Sequence, residues 1–156
     1  SIYPHVTVEG TSAYIAWQDA RSSGYDVYVR ESWAGGFSEA ETRMDTDSPG
    51  YGNSLHAKVV AEGDTIVVAW EDRRADKEGE GYNEIYYNFS TDGGLTWNER
   101  DLRIDNIEPG TSFASDLNLA LRNGVIYATW SDGRRGNADV FFHALAVGEE
   151  AEYDVQ

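Results

Sequence analysis

Apolar residues in this chain either alternate with polar ones or run unbroken for four or five positions. Nowhere do they recur at the three-to-four-residue spacing of an amphipathic helix. The pattern predicts strands throughout. An alternating segment comes first: His5-Val6-Thr7-Val8, Lys58-Val59-Val60-Ala61 or Asn118-Leu119-Ala120-Leu121. It is followed by a turn at Glu9-Gly10, Gly63-Asp64 or Asn123-Gly124, the last a dipeptide suited to tight hairpins. A second strand, rich in Ile, Val, Tyr and Trp, closes on Trp17, Trp70 or Trp130. Its near-continuous apolar character predicts burial on both faces. Beyond a polar loop lies a third strand: Asp26-Val27-Tyr28-Val29, Glu84-Ile85-Tyr86-Tyr87 or Asp139-Val140-Phe141-Phe142. A weaker fourth is suggested at Thr42-Arg43-Met44-Asp45, Leu102-Arg103-Ile104-Asp105 and Tyr153-Asp154-Val155.

These segments are three copies of one unit, their tryptophans recurring at spacings of 53 and 60 residues. Such periods suit propeller blades rather than helical solenoids. The expected fold is therefore all-β: three four-stranded antiparallel blades, at about 1–48, 52–107 and 112–156. Blades are stabilised by burying their faces on neighbours, and propellers close with about four to eight of them. Three blades in isolation would leave two apolar sheet faces in water. Pairing of two chains into a six-bladed ring is the expected remedy, the alternative being that further blades belong to a longer chain.

Composition narrows the partners. With 40% hydrophobic and 13% aromatic residues the chain has the makings of a packed domain. The formal charge of −16, with no basic run, argues against nucleic acid and anionic membranes as partners. The longest uninterrupted apolar runs, such as Ile66 to Trp70, are too short to cross a bilayer as a helix. The absence of cysteine excludes disulfides and thiol catalysis. Nothing calls for a cofactor or a metal. Asp45-Thr46-Asp47-Ser48-Pro49-Gly50 has the opening of a calcium loop but lacks the distal Glu, and reads as a turn between blades.

One short motif is more specific. Ser90-Thr91-Asp92-Gly93-Gly94-Leu95-Thr96-Trp97 follows the third strand of the second unit. It resembles the Asp-box of the sialidase-like (BNR-repeat) propellers. A decayed version stands at 32–38, and the third unit has lost it at 145–148. The residues themselves read as a hairpin lock. Gly93 and Gly94 permit positive φ, Ser90, Asp92 and Thr96 can bond the turn, and Trp97 can pack on the sheet. The Asn88-Phe89-Ser90 sequon shares its Ser with this turn and carries little weight. The resemblance implies that these turns lie on the face opposite the ligand site, and that the protein is secreted or periplasmic.

A second signature, Trp-x-Asp-x-Arg, ends the second strand of every unit: Trp17 with Asp19 and Arg21, Trp70 with Asp72 and Arg74, Trp130 with Asp132 and Arg134. Chain direction puts these loops opposite the Asp-box turns, together with the starts of the first strands, where Tyr3, His56 and Asp116 are equivalent. The Asp/Arg pairs could bind an anionic or polyhydroxylated ligand, or each could brace its own loop; recurrence in every unit favours the brace. The non-repeating Tyr3, His56, Glu71, Arg73 and Arg135 are then the better ligand-binding candidates, with Asp116 beside them. His5 and His143, inside strands, read as packing or solvent-facing residues.

The resemblance implies a sialidase chemistry built on an arginine triad, a Tyr–Glu nucleophile and an Asp acid/base. The family's Arg-Ile-Pro motif is missing, however, and Ser1-Ile2-Tyr3-Pro4 does not replace it. The expected function is accordingly a non-catalytic module binding a glycan or other polar ligand on this face. Two alternatives stand beside it: a glycoside hydrolase or lyase with a site shared by two half-propellers, involving Glu71 and Arg74, and a structural assembly module.

Overall fold

A computed structural model describes residues 1–76, 79–134 and 136–152. Among these there is no helix. The twelve strands are β1 (Ile2–Glu9), β2 (Ser12–Asp19), β3 (Asp26–Trp33), β4 (Gly36–Phe37), β5 (Thr42–Arg43), β6 (Ser54–Glu62), β7 (Thr65–Asp72), β8 (Glu84–Ser90), β9 (Leu102–Arg103), β10 (Ala114–Arg122), β11 (Val125–Asp132) and β12 (Asp139–Ala146). They form three antiparallel sheets, one per sequence unit, in the orders β1-β2-β3, β6-β7-β8-β9 and β10-β11-β12. Both β4 and β5 pair with β3.

The expectation of four strands in every unit needs two corrections. In the first sheet the decayed box region folds into its own short hairpin, because Gly35 takes a φ of 125° and lets Gly36 turn back beside Trp33. In the third sheet three strands lie within the described residues, and the proposed strand at 153–155 falls outside them.

Alternation of side chains across each pleat decides what packs where. Tyr14, Ala16, Val27 and Val29 of the first sheet meet Val59, Ile66, Val68 and Trp70 of the second. The opposite face of the second sheet, with Val67, Ala69, Ile85 and Tyr87, meets Leu117, Ile126, Ala128 and Trp130 of the third. Burial of β7 on both faces therefore holds as expected. For β2 and β11 it does not, since each has only one neighbouring sheet.

The outer faces of the end sheets stay bare. Val6 is 59% exposed, while Val59, its counterpart in the second sheet, is fully buried. Phe142 is 64% exposed, while its counterpart Val29 is only 4% exposed.

Polar groups stitch the sheets as well. Thr46 donates its backbone N–H to Asp101 Oδ1 at 2.8 Å, and the Val59 amide donates to His5 Nδ1 at 3.2 Å. His143 Nδ1 lies 2.8 Å from the Ile104 carbonyl. Both histidines are half-buried and serve as hydrogen-bonding links between sheets.

Candidate functional site

The three inner strands share a local irregularity. The pairing register slips between Ile2 and His5, between Leu55 and Lys58, and between Ser115 and Asn118. At each slip one residue is left-handed: Tyr3 (φ 53°), His56 (φ 52°) and Asp116 (φ 56°). A bulge of this kind re-aims a side chain. For a residue other than Gly, such a conformation costs about 1–3 kcal/mol unless the surroundings impose it. Here the same cost recurs at three equivalent positions, all at one end of the stack.

The result is a pocket of about 310 Å³ that draws on all three sheets. Tyr3 and Pro4 come from β1, His56, Lys58 and Glu71 from β6 and β7, and Asp116 and Asn118 from β10. The Tyr3 ring stands edge-on to His56, 4.9 Å between centroids. Gln18 Oε1 accepts the His56 backbone N–H at 2.7 Å and so holds the first two bulges together.

Glu71 lies at the base. Its side chain is almost wholly buried, and Oε2 is 2.8 Å from His56 Nδ1. Its other oxygen, Oε1, is buried without a hydrogen-bond partner. An unsatisfied carboxylate oxygen in such a place is costly and needs a reason.

The Trp-x-Asp-x-Arg residues are arranged differently. Asp72, fully buried, accepts from the Trp70 indole N–H at 2.7 Å, from Ser54 Oγ at 3.0 Å, from the Arg74 amide at 2.8 Å and from the Arg74 guanidinium at 2.7 and 2.9 Å. Asp132 repeats the set with Trp130 and Arg134, the guanidinium contact being 2.6 Å. Asp19 repeats it with Arg21 at 3.0 Å, but Trp17 Nε1 has no partner. Each arginine also caps an aromatic ring of the third strand: Arg21 over Tyr28 at 4.2 Å, Arg74 over Tyr86 and Arg134 over Phe141 at 4.1 Å. These groups are occupied within the protein, each Asp chiefly by its own loop, Arg74 also by Asp101 at 2.5 Å and Arg134 also by Asn106 at 2.9 Å.

The remaining candidates separate in the same way. Arg73 donates Nε to Asn83 Oδ1 at 2.8 Å and does not line the pocket. Arg135 lies outside the described residues. In the box turn, Asp92 accepts from the Thr96 amide at 2.9 Å and the Thr96 hydroxyl at 2.6 Å, while Ser90 Oγ accepts the Gly94 amide at 2.9 Å. Those Thr96 bonds hold the Asp92 carboxyl down to about 2. Gly93 and Gly94 have φ of 73° and 89°.

Among the described residues no group of three His, Asp or Glu side chains is arranged to hold a metal. At 45–50, Asp45 accepts the Val27 amide at 2.8 Å and pairs with Arg43, and the Gly50 amide donates to Asp26 at 2.6 Å.

Sequence reasoning aligned Tyr3, His56 and Asp116, but missed the bulges that turn them into a common pocket. It also missed Gln18, Lys58 and Asn118.

Stacked antiparallel sheets with inner strands meeting at one pocket define a β-propeller-type fold, and comparison with solved structures supports that class. The similar structures are of one kind. An α-L-arabinofuranosidase from Lactobacillus brevis matches with a TM-score of 0.60 at 12% identity, covering 96% of this chain and 50% of that one. A Penicillium chrysogenum α-L-arabinanase complexed with arabinobiose matches at 0.57 and 12%, covering 89% and 42%. The catalytic domain of a Coprinopsis cinerea GH62 α-L-arabinofuranosidase matches at 0.54 and 14%, covering 92% and 45%.

The chain thus spans about half the length of the structures it matches. No family model and no curated protein matches the sequence. At these identities the likeness establishes the fold.

Two expectations are corrected by it. The propeller resembles arabinofuranosidases and arabinanases, not sialidases. The expectation of a non-catalytic binding module is corrected as well, because the structures found similar are glycoside hydrolases.

Proposed function

We propose that this chain carries part of a glycoside hydrolase active site. The axial pocket receives a sugar unit, and Glu71 and Asp116 supply its carboxyl pair. One observation carries the reading: Glu71 is buried beneath the pocket with Oε2 tied to His56 and Oε1 left without a protein partner.

Hydrolysis of a glycosidic bond needs one carboxyl to protonate the leaving oxygen and another to act as base or nucleophile. Glu71 suits proton handling, since His56 fixes Oε2 and no protein group competes for Oε1. Asp116, exposed on its bulge, is the second carboxyl. Lys58 and Asn118 are placed to meet sugar hydroxyls, and the edge-on Tyr3 offers an apolar surface. The Trp-x-Asp-x-Arg groups take no part in this reading beyond bracing the loops around the pocket.

The substrate class suggested by the similar structures is an arabinose-containing oligosaccharide or polysaccharide. The test is release of product from an aryl α-L-arabinofuranoside and from arabinan. Turnover by the unaltered protein should fall by about 100-fold or more in Glu71→Gln and in Asp116→Asn. A folded protein that hydrolyses neither these nor other aryl glycosides would overturn the reading.

A further inference from the structure

We infer that the oligosaccharide held in the axial pocket is acidic, carrying a hexuronate whose carboxylate meets Lys58. The inference deepens the reading of the pocket as a sugar site and rests on it, but it does not depend on hydrolysis.

Lys58 belongs to a second set of equivalent positions. His5, Lys58 and Asn118 stand on β1, β6 and β10, two residues beyond Tyr3, His56 and Asp116, where the slipped pairing resumes opposite Ala16, Ala69 and Thr129. Two of the three are committed to backbone groups. His5 Nδ1 accepts the Val59 amide at 3.2 Å, and Asn118 Nδ2 donates to the Asp116 carbonyl at 3.1 Å. Burial, and then the charge of Lys58, hold the His5 imidazole below its usual pKa, so that its Nδ1 stays an acceptor. Lys58 itself is half-buried at the pocket wall and makes no hydrogen bond or ion pair with any described residue.

In this chain such a cation stands apart. Acidic residues number 28 against 12 basic ones, so partners for a base are plentiful. Every arginine among the described residues is bonded within the protein, most of them to a carboxylate, Arg30 to the Ser38 carbonyl and Arg73 to Asn83. The basic side chain without a partner is the one that lines the pocket.

An ammonium in a half-closed site is best satisfied by an anion held in place, and lysine meets one as a point charge. A sugar hydroxyl needs no more than Asn118; only a charged group draws on what Lys58 adds. Glu71 and Asp116 oppose an anion, but they sit one step back along the strands, and Glu71 is already engaged by His56. A substrate with its glycosidic linkage against those carboxyls can turn a uronate toward Lys58. The net charge of −16 repels simple anions at long range, so the hydroxyls of a sugar must contribute for binding to be firm.

The test is a binding titration by calorimetry or nuclear magnetic resonance with matched sugars: galacturonate against galactose, and glucuronate against glucose. At least one acid should bind about ten-fold or more tightly than its neutral partner, as expected for a charge-assisted contact. Lys58→Met keeps the apolar stem and should erase that preference with unchanged far-ultraviolet circular dichroism, while Lys58→Arg should keep most of it. Equal affinity for acid and neutral sugars in the unaltered protein would overturn the inference, as would a preference that survives in Lys58→Met. Acetate and phosphate should compete weakly; displacement of the uronate by either at comparable concentration would overturn the sugar part and leave a simple anion site. Because the readout is binding, a uronate preference without turnover would support this inference while overturning the hydrolase reading. Turnover of neutral glycosides with no uronate preference would do the reverse, and failure of every sugar to bind at millimolar concentration would overturn both.

Discussion

The second sheet and the two that flank it are written in nearly the same residues but live in different surroundings. Trp70 is fully buried between β6, β8 and the first sheet, with its indole bonded to Asp72. Trp17 fills the equivalent place on an outer face, half-covered, with no acceptor for its indole. The same holds for the braces. Arg74 is largely buried among Asp72, Asp101 and Asp47, whereas Arg21 reaches into solvent toward Asp19 and Glu41. The difference teaches that the repeated motif sets the local geometry of each loop, while stability comes from having a neighbour on both sides.

The largest expected effect follows from the tryptophans. Trp70→Ala should cost about 3–5 kcal/mol in urea unfolding, while Trp17→Ala should cost well under half of that. Equal losses would mean that the two environments do not differ as described.

The braces come next. Removing one partner of a buried pair leaves a charge without compensation, so Asp72→Asn should destabilise by about 3 kcal/mol. Asp19→Asn, whose partner is exposed, should cost about 1 kcal/mol or less. Melting curves of the two variants would check this.

A smaller effect should appear with pH. Burial pushes Glu84, the fully enclosed first residue of β8, up to about 6, and pushes Asp45, facing Asp26 and Arg43, up to about 8. The folded state therefore holds these protons more tightly than the unfolded chain. Their contribution to stability is complete below the ordinary carboxylate range, near about 4, and is lost as pH rises through about 6 and then about 8. The melting temperature should fall from pH 5 to pH 9. Glu84→Gln, which keeps an acceptor for the Gly110 amide, should flatten the lower part of that fall. A melting temperature that climbs over this range would contradict the sign.

Much of the fold was legible because strand alternation, turn dipeptides and a recurring tryptophan all point the same way. The bare end faces could also be foreseen, since three units repeat an apolar pattern that needs a neighbour on each side. The pocket was only half legible. Equivalence placed Tyr3, His56 and Asp116 together, but none of the three is glycine, so nothing local announced left-handed bulges. The bond between His56 and Glu71 joins different strands, and the Gln18 contact joins different sheets, so neither leaves a mark on residue spacing. The Asp-box turn misled on kinship because a tight hairpin solved with Ser, Asp, Gly and Thr is a local device that tells little about the ring carrying it.

Glu71 and Asp72 are neighbours at the end of β7 and point to opposite sides of the strand, one toward the pocket and one toward the brace. Measuring turnover and melting temperature together for Glu71→Gln and Asp72→Asn therefore tests the division between site and scaffold most directly. The account predicts that Glu71→Gln abolishes hydrolysis and leaves the melting temperature nearly unchanged, while Asp72→Asn lowers the melting temperature several-fold more. A Glu71→Gln protein that turns over substrate at the unaltered rate would contradict it.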